Sequence, residues 1–464
     1  MNNSVLTFLK DLHDLENILE SLVFEDEIIE NIFDDENNAL ELIESALYLM
    51  EDYVNENPTA ISEPDFEEEF LEDIKELFYI QFEEEILENT WVEDDLNEVL
   101  EEAFKIFIGT FYPERSSFSQ ISSSSSLDVS SQDSERIKQI LDKIEHIKQK
   151  PQPTQRTDEW YKFRHNLITA SNAYKAFESQ STINQLIYEK CQPLKNRDDE
   201  KNTTSMVNIN TPFHWGQKYE PLSVMLYEYL YNTKVADFGC IKHDKYHFLG
   251  ASPDGINIDV ESDRFGKMLE IKNIVNREIN GIPKKEYWIQ MQLQMEVCDL
   301  DECDFLETKF IEYDVASDFF KELEMELEQL HVLDKKGVIL YFHNNLESKP
   351  FYLYKPLNIV ETSQILQWEE DNIELYQSSQ HNMVYIKSIY WKLEKLSCVS
   401  VNRNKNWFQN NIQALENVWN IIEKERISGY EHRAPNRKVK KECSFNSIIN
   451  NVNAENKCLI QIKY

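Results

Sequence analysis

Two short segments hold the residue types best suited to chemistry: Ala251-Ser252-Pro253-Asp254-Gly255 and Leu269-Glu270-Ile271-Lys272. Side chains alternate along a strand, so Glu270 and Lys272 share a face while Ile271 packs the other way. Pro253 and Gly255 bracket Asp254 in a turn, which can aim its carboxylate at a neighbouring strand. Two hard carboxylates brought together suit Mg²⁺ or Mn²⁺, ions that prefer oxygen ligands and retain several waters. A lysine beside them can orient the attacking water or stabilise charge growing on a phosphate. Taken singly, each segment reads as a surface turn or an ordinary Glu/Lys strand. Their joint presence favours a metal-dependent hydrolytic site, because close carboxylates repel and a cation is the simplest compensation.

Three further segments fit that chemistry. Trp215-Gly216-Gln217-Lys218-Tyr219-Glu220-Pro221 lies on a helical pattern, where Glu220 is either a third acid, held directly or through water, or one more solvated glutamate. In Tyr287–Gln294, Gln290 and Gln294 stand four apart on one helical face. They either hydrogen-bond into the site or form the polar side of an amphipathic helix. Earlier, Thr157 can cap a helix whose first turn holds Asp158 and Glu159. Arg164 stands near its end, and Ser171 opens the next helical stretch, where free N–H groups bind phosphate. The plainer alternative is that Arg164 pairs with an acid and Ser171 only caps.

The elements that must position these residues follow from periodicity and glycine. Only nine glycines occur in 464 residues, and five of them (Gly216, Gly239, Gly250, Gly255, Gly266) fall within 51 positions. Such sparing use points to backbone constraint. The pattern predicts a helix over 215–231, then short strands over 235–242, 247–251, 256–260 and 268–273. A helix over 284–297 and a strand over 303–313 follow. This alternation predicts an α/β core with a central mixed sheet flanked by helices. Further strands are expected over 338–342, 351–354 and 385–393, with helices over 362–376 and 404–426.

The flanks differ in character. Formal charge is −38 overall, yet residues 1–110 hold 34 Asp/Glu against three lysines. Apolar stripes such as Phe8–Leu22, Leu40–Tyr53, Phe66–Phe82 and Leu96–Ile108 make this start all-helical. Residues 116–134 contain 11 serines, a low-complexity linker. Residues 381–464 carry 14 Lys/Arg against seven Asp/Glu, a basic end able to track phosphates. Tyr390-Trp391 and Trp407-Phe408 read either as base-stacking groups or as core; aromatics on regular elements usually pack. The expected divisions are an acidic helical domain (1–112), a serine-rich linker with a short helix (113–154), the catalytic core (155–345), and a C-terminal α/β extension with a basic tail (346–464). The acidic region reads as a solvated, protein-docking module or as a DNA mimic covering the catalytic groove.

The ordered set EWYKFR…ITAS, WGQKYEP, GASPDG, LEIK and YWIQMQLQM resembles the lambda-exonuclease/YqaJ-type viral recombinase family of PD-(D/E)XK nucleases, over residues 155–315. The acidic start and C-terminal part are similar to the enlarged YqaJ-type nucleases of giant DNA viruses, the mimivirus virophage-defence group among them. The resemblance implies a DNA nuclease using two Mg²⁺ or Mn²⁺ ions. Asp254 would bridge the metals, with Glu270 and the Ile271 carbonyl completing the ligands. Lys272 would position the water, Glu220 and Gln290 would support the site, and Arg164 and Ser171 would grip the phosphate at a DNA end. Degradation of one strand of duplex DNA from its 5′ end is implied by analogy. A helicase or single-strand-annealing protein is an expected partner, and a homo-oligomer is compatible with the family's ring-forming member.

Composition bounds the remaining classes. No run of 18 apolar residues occurs and the N-terminus lacks a secretory pattern, so no membrane partner is expected. The seven cysteines are odd in number and form no CxxC pair, so neither a disulfide framework nor a zinc ribbon is expected. Some related nucleases hold an iron–sulfur cluster with closely spaced cysteines, a spacing absent here, so no cluster is expected. A soluble intracellular protein follows, in the host cytoplasm if viral. Two competitors stand beside an end-dependent nuclease: an endonuclease on single-stranded or branched DNA, and a regulatory factor binding proteins through its acidic helices.

Overall fold

The computed structural model of the chain describes residues 36–83, 91–118, 131–155, 157–194, 209, 211–328, 335–345, 349–378 and 382–435. Among the described residues three acidic helices come first: α1 (Glu36–Glu56), α2 (Phe66–Gln81) and α3 (Trp91–Ile106). Phe66, Phe70, Ile74 and Phe78 of α2 recur at helical spacing and are all buried. The carboxylates between them turn outward, as an amphipathic helix requires. The Phe8–Leu22 stripe and the basic tail beyond residue 435 lie outside the described residues.

A short strand β1 (Ser117–Phe118) and helix α4 (Ser131–Gln149) lead into the expected catalytic region. There follow α5 (Asp158–His165), β2 (Ile168–Thr169), the four-residue α6 (Ala170–Ala173) and α7 (Gln180–Cys191). Next come α8 (Pro212–Tyr231) and the strands β3 (Val235–Ala236), β4 (Ile241–Lys242), β5 (Leu249–Ala251), β6 (Gly255–Asn257) and β7 (Met268–Asn273). Helix α9 (Lys285–Cys298), β8 (Glu302–Glu312) and α10 (Ala316–Glu328) precede β9 (Lys336–Asn344) and β10 (Lys349–Tyr354). Helix α11 (Thr362–Gln377), the long β11 (Met383–Asn402) and α12 (Lys405–Ser428) complete the described fold.

The main sheet runs β10-β9-β11-β8-β7-β6-β3, with β1 added beside β11. Strands β7 and β8 are parallel; the other pairs are antiparallel. A second sheet, β2-β5-β4, stands at the side of α9. The architecture is the expected mixed α/β one. The sheet takes strands from both sides of residue 345, because β11 inserts between β8 and β9. Its 20 residues exceed the expected 385–393 run. Register shifts between Tyr385 and Lys387 and between Leu393 and Lys395 break the alternation that sequence pattern depends on.

The expected 235–242 strand is divided between the two sheets, with Gly239 at the break. Gly255 is required by close approach: a Cβ there would lie 2.1 Å from Val235 Cγ1. Gly216 differs, since a Cβ at that position would meet nothing within 4 Å. Trp391 and Trp407 are buried to about the last per cent, so both serve the core. Burying each contributes roughly 1.5–3 kcal/mol.

The acidic helices share one apolar core with α9 and α12. Buried Arg115 stitches the join: Nη2 donates to the carbonyls of Ser62, at 3.0 Å, and Pro283. The Arg115 carbonyl in turn accepts from Trp288 Nε1 at 3.0 Å. Lys285 pairs with Glu63 at 2.6 Å. No described helix is long and apolar enough to cross a membrane.

Candidate active site

Strand β7 carries Glu270 and Lys272 on one face, as alternation requires, and the turn between β5 and β6 brings Asp254 against it. Asp254 Oδ2 accepts from the Ile271 N–H at 2.7 Å. The Ile271 side chain points away into a cluster with Tyr227, Leu269 and Leu306. Glu270 is 1% exposed, and both its oxygens are engaged. Oε1 accepts from Lys272 Nζ and from Gln290 Nε2, the latter at 2.8 Å; Oε2 accepts from Gln294 Nε2 at 2.7 Å. Gln290 and Gln294 thus use the shared face of α9 that their spacing provides.

Helix α8 is seated against β7 by Asn273. Its Nδ2 donates to the Gly216 carbonyl at 3.1 Å and its Oδ1 accepts from Ser223 Oγ at 2.7 Å. This seat brings Glu220 near enough for its charge to act on Asp254. Burial, then the charges of Glu270 and Glu220, push the Asp254 carboxyl well above the usual carboxylate range. Lys272 and the Ile271 N–H pull the other way. Burial opposes the Lys272 charge, but Glu270 and Asp254 outweigh it and raise the ammonium above its ordinary value. The Tyr287 ring lies 4.7 Å from Lys272 Nζ and adds a cation–π contact.

These residues fit a divalent cation. Asp254 and Glu270, with the charge of Glu220 acting on Asp254, offer oxygen donors only, and repulsion among them is what a cation relieves. Among the described residues no group of three or more His, Cys, Asp or Glu side chains is arranged to hold a metal ion. Carboxylate oxygens of this kind suit an ion that keeps its own waters. The five described cysteines are buried free thiols; Cys443 and Cys458 lie outside the described residues.

The structure also brings Arg164 and Ser171 together. Thr157 caps α5 by accepting from the Trp160 N–H at 3.2 Å. One turn on, Arg164 lies 4.5 Å over the Trp160 ring. Its Nη2 donates to Ser171 Oγ at 3.2 Å and its Nη1 to Ser252 Oγ at 3.1 Å. The helix at Ser171 is only the four-residue α6, capped by Thr169, whose N–H donates to Asn172 Oδ1 at 3.0 Å. Burial lowers the Arg164 guanidinium from its ordinary value, partly offset by Cys240.

Sequence reasoning did not single out Asn273, Ser252 or Tyr287. Asn273 follows Lys272 directly, but its partners lie some fifty residues upstream, so no local pattern marks it. Gln292 could be mistaken for a site residue. It faces away, with Nε2 donating to the Asn402 carbonyl at 2.9 Å and Oε1 accepting from the Asn404 N–H at 2.7 Å.

Residues 159–301 match the YqaJ-like viral recombinase domain. An uncharacterized protein of Acanthamoeba polyphaga mimivirus is 29% identical over 311 residues, covering 60% of this chain and 54% of that protein. The chain thus spans about half the length of the curated relative it matches. Among solved structures, an alkaline exonuclease from Laribacter hongkongensis is 18% identical, with 60% of this chain and 95% of that chain covered and a TM-score of 0.30. A structure of that exonuclease in complex with dAMP gives 17% identity, the same coverage and a TM-score of 0.31. Every residue of the candidate site falls inside the segment that matches the YqaJ-like viral recombinase domain.

Proposed function

We propose that the chain is a divalent-metal-dependent DNA nuclease that degrades duplex DNA from its ends. The observation that carries this reading is Asp254 fastened to the Ile271 N–H, beside Glu270 and Lys272 on the same strand. Asp254 and Glu270, with the Ile271 carbonyl and Glu220, are the groups that would hold Mg²⁺ or Mn²⁺. The bound ion supplies Lewis-acid stabilisation of charge on the phosphate.

The chain's own residues do the rest. Glu270 holds Lys272 Nζ in place, and the ammonium orients the attacking water and stabilises charge as it builds. Water attacks phosphorus and the P–O3′ bond breaks. The leaving oxygen takes up a proton, giving a 5′-phosphate and a 3′-hydroxyl. Arg164, with Ser171 beside it, takes the phosphate at the DNA end, which makes the reaction depend on an end. The 5′ to 3′ polarity follows from the family resemblance.

The test uses purified protein, Mg²⁺ or Mn²⁺, end-labelled linear duplex and a circular duplex. Loss of the linear DNA alone is expected, and the labelled end reports polarity. Cutting of the circle at a similar rate would replace this reading with an endonuclease. Arg164→Ala should slow the linear substrate most; equal impairment of an endonucleolytic background would remove its assignment to the terminal phosphate.

A further inference from the structure

Gln294 is fully buried on α9, and both hydrogens of its amide are used. Nε2 donates to Glu270 Oε2 at 2.7 Å and to the Ser252 carbonyl at 3.4 Å. Ser252 lies in the turn after β5, two residues before Asp254, and its hydroxyl accepts from Arg164 Nη1 at 3.1 Å. A continuous path therefore runs from Arg164 on α5, through Ser252 and Gln294, to Glu270 on β7.

The chemistry of each group fixes the direction of the path. A guanidinium only donates, whereas carbonyls and carboxylates only accept. Turning the Gln294 amide over would set Oε1 against both the Glu270 carboxylate and the Ser252 carbonyl. Its orientation is thus dictated by its neighbours. The cost is visible on the other side of the same group, where Oε1 is buried without a hydrogen-bond partner. Leaving such an acceptor unsatisfied costs about 1–3 kcal/mol, which an apolar side chain of similar volume would avoid. A glutamine kept there is kept for its two donated bonds.

We propose that Gln294 is a positioning residue that ties the phosphate anchor at Arg164 to the Glu270 carboxylate through Ser252. A DNA end seated on Arg164 is thereby held at a fixed distance from the hydrolytic centre. This inference rests on the reading above, in which Arg164 takes the terminal phosphate and Glu270 a divalent cation.

Two binding measurements on the full chain test it without relying on turnover. The first is Mn²⁺ affinity by titration calorimetry. The second is the preference for 5′-phosphorylated over 5′-hydroxyl duplex, by fluorescence anisotropy with Ca²⁺ in place of Mg²⁺. A charge-assisted anchor gives the wild type a preference of about tenfold. Gln294→Met should erase most of that preference and weaken Mn²⁺ about tenfold, the usual effect of removing a support behind a metal ligand. Ser252→Ala keeps the carbonyl but loses the hydroxyl; it should lose the phosphate preference and retain wild-type Mn²⁺ affinity.

A folded Gln294→Met protein with the full phosphate preference overturns the bridge, and one with unchanged Mn²⁺ affinity overturns the positioning of Glu270. If Gln294→Met does not fold, Ser252→Ala decides: an intact phosphate preference overturns the bridge. A wild type with no preference overturns the anchor reading and the bridge with it, whereas a wild-type preference that the variants keep overturns the bridge alone.

Discussion

The carboxylate of Asp254 is fastened to the backbone N–H of Ile271 by a 2.7 Å hydrogen bond. The turn after β5 is thus joined to the strand that carries Glu270 and Lys272. The bond uses a main-chain donor, so it survives changes to the Ile271 side chain. It fixes one acid relative to the other.

Asp254→Asn separates charge from geometry. Asparagine keeps an oxygen for the Ile271 N–H but removes the charge that burial, Glu270 and Glu220 disfavour. Cleavage should fall by about three orders of magnitude or more, since an electrostatic group at the reacting phosphate is lost. In metal-free buffer the variant should melt at or above the wild-type temperature at pH 8. A carboxyl raised in the folded state loses stability as pH rises from its unfolded value through its folded one, so this advantage should disappear in acid. A variant clearly less stable than wild type at pH 8 would mean that repulsion at this site is not what the fold contends with.

Lys272 contacts Glu270 and lies over Tyr287, and the role proposed for it is in turnover. Lys272→Met should lower kcat by about a hundredfold or more, while the Kd for duplex DNA measured with Ca²⁺ changes by less than about threefold. If Kd rises by a similar factor as kcat falls, Lys272 serves binding.

Lys190 offers a pH signature away from the acids. It is 8% exposed, and its Nζ donates to the Arg164 carbonyl at 2.8 Å, bracing the end of α5. Burial, with Arg164 and Arg426 nearby, lowers its pKa to about 7. The unfolded chain keeps this proton up to the ordinary lysine range, so stability rises with pH above 7. Urea unfolding at pH 7 and pH 9 should show wild type gaining about 2–3 kcal/mol relative to Lys190→Met. Parallel pH dependence in the two proteins would show that the ammonium is not desolvated.

Arg115 joins the acidic helices to the segment before α9 through the Ser62 and Pro283 carbonyls. Burial lowers its guanidinium to about 10, against the pull of Glu67, Glu63 and Asp65. Arg115→Ala leaves buried carbonyls unpaired and should destabilise the protein by about 2–4 kcal/mol. Limited proteolysis should then release the acidic helices first. Unchanged protection would place the strength of the join in the apolar core alone.

What the sequence alone determined is what short-range geometry determines. Strand alternation put Glu270 and Lys272 on one face, the Pro-Asp-Gly turn offered Asp254 to its neighbour, and four-residue spacing aligned Gln290 with Gln294. A hydroxyl followed by two acids marked the cap at Thr157. Each depends on neighbours within one turn or one strand, where periodicity is fixed by the backbone. Only the tertiary structure decided that β11 enters the sheet between β8 and β9, and that Ser117–Phe118, from a serine-rich stretch, pairs with it. It likewise decided that Asn273 seats α8 and that Ser252 stands between Arg164 and Gln294. Those partners are separated by tens to hundreds of residues. Their pairing is selected by the shape of the closed core and by the need to satisfy buried polar groups, and neither leaves a periodic trace in the chain.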